Sequence, residues 1–178
     1  MKALPRIYLA GPDIFYPDVD ERYARLKQLC SDVGLFGVAP PDGVDFPVEL
    51  TYACAAKIRR HDLKLLRSCA GVLANVSPYL GLEPDSGTAY EMGYAAALGL
   101  PIVGYTFDGL LTHERAAQAG RPIGPDGREA KEGLLLENFG LTANLMLAAG
   151  HECVCLPGAQ DETVIREALR RLERTLRT

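Results

Sequence analysis

The side chains in this sequence best suited to chemistry are carboxylates. Three loop-like stretches, Gly11 to Pro17, Pro40 to Pro47 and Ser77 to Glu91, carry Asp13, Asp42, Asp45, Glu83, Asp85 and Glu91. None of them contains GxGxxG or GxxxxGK followed by Ser or Thr, so neither the dinucleotide cradle nor the P-loop is present. An acidic group of this kind repels phosphate. It suits polyhydroxylated or basic ligands, because carboxylates accept hydrogen bonds from sugar hydroxyls and can exchange protons with a nitrogenous leaving group.

Glu91 is the sharpest candidate. It lies one turn into the helix pattern of DSGTAYEMGYAAALG, where a helix N-terminus would help keep it ionised and nucleophilic. Gly87 and Gly93 leave the backbone around it open to close approach by a ligand. A structural alternative stands beside this one: Thr88-x-x-Glu91 has capping-box spacing, in which the Glu only reaches back to the cap amide. Asp85 reads equally as a helix cap, Tyr8 as a core aromatic, and Asp62, next to His61 and near Arg59 and Arg60, as part of a solvated charged face.

Length and composition bound what must position these residues. The chain has 178 residues, 48% of them hydrophobic and 24% charged, which corresponds to one soluble globular domain with a single core. With 19 basic and 23 acidic residues and a formal charge of −4, a nucleic-acid partner is not expected. No apolar run approaches the roughly 18 residues of a membrane span, and Pro5 and Arg6 stand where a signal peptide would be apolar, so the expectation is a cytoplasmic protein without a membrane partner. The five cysteines include no CxxC pair and the three histidines are scattered, which suggests reduced thiols and no metal site.

Strand-like runs at Arg6–Ala10, Phe36–Ala39, Gly71–Val76, Ile102–Tyr105 and Glu152–Leu156 alternate with helix patterns at 18–32, 50–68, 86–99, 141–149 and 161–176. That alternation predicts a single-domain α/β fold: a doubly wound, flavodoxin- or Rossmann-like, five-stranded parallel sheet with helices on both faces, whose ligands sit at the C-terminal strand ends. The Gly-, Pro- and charge-rich stretch from Asp108 to Glu132, helical at most in its first part, reads as a surface insertion that serves as a lid, a subunit contact or a passive excursion.

Together, IYLAGPDIF (7–15), the PPD turn (40–42), Asp62, DSGTAYEMGYAAALGLPIV (85–103) and ANLM (143–146) resemble the nucleoside 2-deoxyribosyltransferase family. The resemblance implies that Glu91 attacks the anomeric carbon of a 2′-deoxynucleoside to form a covalent deoxyribosyl-enzyme, and that a second free nucleobase then displaces it with net retention. It implies that Tyr8 holds the nucleophile, that Asp62 serves the base as proton donor and acceptor, and that Asp85 grips the sugar. Gly11, Phe15, Asp42 and Gly87 join the substrate-binding group, and no cofactor is involved. Asn144 and Met146 are implied to reach a neighbouring subunit's site, hence a homo-oligomer. Gly43 and Val44 follow the turn where some members place an amide, so base selectivity does not carry over. Two other readings are a 2′-deoxynucleoside 5′-monophosphate N-glycosidase, disfavoured by the acidic loop after the first strand, and a non-catalytic nucleoside sensor.

Overall fold

The chain's structure is a computed structural model that describes residues 3–44 and 50–177; Asp45, Phe46 and Pro47 lie outside the described residues. Alternation along the first strand, β1 (Arg6–Ala10), sorts the molecule into layers, because successive strand side chains point to opposite faces. Ile7 and Leu9 enter one apolar cluster with Tyr23, Leu26, Leu169 and Leu172. Tyr8 and Ala10 enter the other with Leu66, Met92 and Ala95. The first cluster is capped by α1 (Val19–Asp32) and α6 (Asp161–Arg177), the second by α2 (Tyr52–Arg67) and α3 (Ser86–Ala97).

With β2 (Phe36–Val38), β3 (Gly71–Asn75), β4 (Ile102–Tyr105) and β5 (Glu152–Val154), the strands form one parallel sheet in the order β2-β1-β3-β4-β5. Every β3 residue is buried, as its near-continuous apolar run requires of a strand covered on both faces. The order reverses between β1 and β3, and the connections leaving these two strands diverge to open a crevice at their C-terminal ends. The doubly wound α/β expectation holds, with helix and strand ends within a few residues of those read from the sequence.

One expectation is corrected. The predicted helix over 141–149 contracts to one turn, α5 (Leu145–Ala148). The Leu141 carbonyl accepts from the Thr112 backbone amide at 3.0 Å and the Thr142 carbonyl from Arg115 Nη2 at 3.0 Å, so neither is available to a helical ladder. The stretch after β4 carries α4 (Thr112–Gln118) in its first part. Isolated antiparallel bridges join Ile123 to Glu129 and Arg128 to Leu135. The 4% exposed Glu129 gathers the backbone amides of Lys131, Glu132 and Leu134 and pairs with Arg121. A buried carboxylate is tolerable where amides and a cation surround it.

Candidate active site

Tyr8 and Glu91 meet where α3 packs on the sheet. The phenol of Tyr8, fully buried, donates to Glu91 Oε1 at 2.5 Å across 83 residues of sequence. Met92 and Ala95 anchor α3 against the sheet and so fix where Glu91 stands. The cap of α3 is Asp85, whose Oδ2 accepts from the Thr88 amide at 2.9 Å and from Thr88 Oγ1 at 3.2 Å. The capping-box alternative for Glu91 is thereby overturned: with the cap already made, the Glu91 carboxylate reaches to the strand instead. Gly87 permits this first turn, since a Cβ there would lie 2.9 Å from Asp85 Oδ2.

Asp62 faces the same cleft from α2. The cleft, about 380 Å³, has apolar walls from Ala55, Ile58 and Leu63 and holds Asp62 and Glu91 together, with Gly87 in its lining and Tyr90 and Arg59 at its edge. Arg59 Nη2 donates to the Tyr90 hydroxyl at 2.6 Å, tying α2 to α3 across the opening. Asp62 Oδ1 is buried and has no hydrogen-bond partner among the described residues. Leaving a buried acceptor unpaired costs about 1–3 kcal/mol, and a ligand donor or a retained proton would relieve it.

Burial sets the charge states here. It pushes Glu91 up to about 7; the Tyr8 hydrogen bond works against this rise, and the neighbouring Asp62 and Asp85 add to it. The helix end was expected to keep Glu91 ionised, but removal from water outweighs it. Burial likewise lifts Asp62 to about 6, opposed by His61. The Tyr8 phenol is driven far above its ordinary range, first by burial and then by Glu91, so it remains a donor at any physiological pH.

The other sequence candidates divide. Asp13 is buried and engaged by Asn75 Nδ2 and Arg22. Asp42 closes its own turn, Oδ2 accepting from the Ala39 amide at 2.9 Å and Oδ1 pairing with Lys27 at 2.5 Å. Both are engaged within the fold, as are Asp85 at the start of α3 and Glu83 at the Asn144 amide, so the carboxylates that line the cleft are Asp62 and Glu91. Gly11 lets β1 and β3 converge, since a Cβ there would sit 2.8 Å from Asn75 Cβ. Phe15, on the turn after β1, is exposed and stacks on Tyr79 with centroids 5.2 Å apart. Asn144 caps α5 through the Met146 amide, Met146 is 75% exposed, and neither lines the Glu91 cleft.

Arg59, read from the sequence as part of a solvated charged face, lines the cleft three residues before Asp62. Tyr23, on the α1 face of the sheet, packs in the other apolar cluster and its hydroxyl has no hydrogen-bond partner among the described residues. Arg115, buried and bonded to the Leu82 carbonyl, is not singled out by the sequence. Among the described residues no group of three or more His, Cys, Asp or Glu side chains could hold a metal ion, and no helix is long and apolar enough to cross a membrane.

A family model described as nucleoside 2-deoxyribosyltransferase matches residues 7–146, from β1 through Met146. This chain belongs to the nucleoside 2-deoxyribosyltransferase family. Its relatives include an uncharacterized protein of Schizosaccharomyces pombe, C191.05c, 34% identical, with 80% of this chain and 75% of that protein covered. Among solved structures, a 2-deoxyribosyltransferase from Leishmania mexicana superposes with a TM-score of 0.69 at 29% identity, covering 93% of this chain and 97% of that one. A conserved protein from Enterococcus faecalis gives a TM-score of 0.60 at 20% identity over 95% and 99% of the two chains, a likeness of fold alone. Family membership supports a glycosyl-transferring enzyme, in a family that takes nucleosides and nucleobases as substrates.

Proposed function

We propose that this protein exchanges the base of 2′-deoxynucleosides by double displacement on Glu91, in the cytoplasm, as part of deoxynucleoside salvage. The ionised Glu91 carboxylate attacks C1′; the C1′–N bond breaks, its electron pair stays on the base, and Asp62 delivers the proton that makes the base a neutral leaving group. A second base then gives its proton to the Asp62 carboxylate and attacks C1′, and Glu91 departs. Two inversions leave the configuration unchanged. Asp85, with Gly11, Phe15 and Gly87, would hold the sugar. Every proton and electron pair is carried by protein and substrates, so the cycle as written uses no cofactor. Asn144 and Met146 would complete the cleft of a neighbouring copy.

The observation that carries this reading is the pairing of a tyrosine-held glutamate with an aspartate, lifted to about 6, in one partly apolar cleft. The test is incubation of purified protein with deoxyinosine and free adenine: deoxyadenosine should accumulate. Deoxyribose release without deoxyadenosine, or no turnover across a panel of bases, would overturn the reading.

The pH profile of kcat/KM tests how the pair works. The reactive form has Glu91 ionised and Asp62 protonated, the reverse of their order of ionisation at about 7 and about 6. Its population rises up to about pH 6, is level to about 7, and falls beyond. Tyr8→Phe removes the hydrogen bond that favours the Glu91 carboxylate. Exchange should fall about tenfold below pH 7 and converge on wild type in the alkaline range, since one charged hydrogen bond corresponds to about one pH unit. A loss of equal size at every pH would show that Tyr8 does not act through the ionisation of Glu91.

A further inference from the structure

The segment between β4 and α5 is built around one buried cation. Arg115, 6% exposed, donates from Nε to Asp108 Oδ2 at 2.7 Å, from Nη1 to the Leu82 carbonyl at 2.7 Å, and from Nη2 to the carbonyls of Leu110 and Thr142 at 3.0 Å each. A buried guanidinium is stable only when its donors are satisfied. These bonds therefore lock the loop after β3, which carries Leu82, to the stretch that runs from Thr142 into Asn144 and Met146.

Two carboxylates finish the attachment. Glu83 Oε2 accepts from the Asn144 backbone amide at 3.2 Å. Glu137 takes both of the next donors: Oε1 accepts from Asn144 Nδ2 at 3.1 Å and Oε2 from the Leu145 amide at 3.1 Å. Asn144 Oδ1 accepts from the Met146 amide at 3.0 Å. These partners fix the orientation of the side-chain amide, because a flip would set NH₂ against an N–H and oxygen against a carboxylate. One N–H of Asn144 and one lone pair of its Oδ1 are left over. A four-residue helix cannot hold that direction through its own ladder, so the setting comes from Glu137.

We propose that Glu137 is a positioning residue for the deoxyribosyl-transfer site of a second copy of this chain, aiming the remaining Asn144 N–H and the exposed Met146 side chain into that neighbour's cleft, with Arg115 as the buried anchor. The inference rests on the proposed function and adds a residue acting through Asn144. Nothing in it requires Glu137 to touch substrate. It separates two effects that a single variant would confuse, action on the chain's own site and action on the neighbour's.

Co-expression separates them. Glu137→Ala alone should lose about 10- to 100-fold in exchange, the scale of a misplaced substrate contact, and Glu91→Ala alone should be inactive. Co-expressed in equal amounts, they should recover about a quarter of wild-type activity. Half the sites have Glu91, and half of those face a neighbour with an intact Glu137, whatever the size of a symmetric ring or dimer. If Glu137 served its own chain's site, no mixed pair would gain activity. A parallel mixture of Asn144→Ala with Glu91→Ala tests the underlying reading: recovery there without recovery for Glu137→Ala overturns the proposal alone, and recovery in neither overturns the shared site as well. Should Glu137→Ala not fold, Glu137→Gln, which keeps an acceptor for Asn144 and loses the one for Leu145, takes its place with the same criterion.

Discussion

Glu91→Ala should lower kcat/KM for deoxyinosine–adenine exchange by at least about 10⁴-fold while leaving the sheet intact. Removing a nucleophile eliminates the covalent route and leaves only binding and proton transfer, and single members of a nucleophilic constellation cost about 10⁴ to 10⁶ when deleted. The helix is insensitive to the change. Its cap is Asp85 with Thr88, its buried contacts are Met92 and Ala95, and Glu91 contributes nothing to the helix end. Loss of activity with an unchanged circular dichroism spectrum therefore isolates the chemistry.

The same substitution has a mass-spectrometric counterpart. A 2-fluorinated deoxynucleoside slows both displacements by withdrawing electron density from an oxocarbenium-like transition state, so the intermediate should persist on wild type. The peptide containing Glu91 should gain one sugar-sized mass, absent from Glu91→Ala and discharged by adding free adenine. An adduct elsewhere, or a variant keeping more than about a hundredth of wild-type exchange, would falsify the assignment, for among the described residues the Tyr8 hydroxyl donates to Glu91 and to no other carboxylate.

What the sequence made legible follows the range of the interaction responsible. β1 and β3 declared themselves through apolar runs, and α6 through Val164, Ile165, Ala168, Leu169 and Leu172 on one face, all buried in the structure, because strand and helix periods are local properties. The Asp42 turn was local as well, and the PPDG chemistry that predicts it also claims the Asp42 carboxylate. Failures came where a distant partner decided. Leu141 and Thr142 have helix-compatible neighbours, yet their carbonyls are taken by Thr112 and Arg115 more than 25 residues away. Thr88-x-x-Glu91 fits a capping box and a nucleophile equally well; only Tyr8, 83 residues upstream, separates them. The acidic character of the strand ends was visible, but which carboxylates were already paired with Lys27, Arg22 or Asn75 was not.

Stability should change in the opposite sense to activity. Glu91→Gln is expected to melt above wild type at pH 8, with the difference closing toward pH 5. The sign follows from the direction of the shift: burial raises Glu91 from 4.5 to about 7, so the folded state prefers the protonated carboxyl. The stability this group contributes is fully present below about pH 4.5 and is lost as pH rises through about 7. At 1.36 kcal/mol for each pH unit between those values, the ionised Glu91 costs wild type up to about 3 kcal/mol at pH 8. A neutral Gln avoids that cost and still offers Tyr8 a carbonyl acceptor, so the buried phenol is not orphaned. For a chain of this length the gain corresponds to about 6–12 °C in Tm, read by thermal melts at pH 5 and pH 8. Asp62, raised to about 6 for the same reason, stays in both proteins, so a smaller decline over the acid range should survive in the variant. A Glu91→Gln protein that melts below wild type at pH 8, or a gap that does not depend on pH, would mean that Glu91 is not held against its own solvation. The source of the nucleophile's reactivity would then have to lie elsewhere, since it is the charge the fold tolerates least that the proposed chemistry places at C1′.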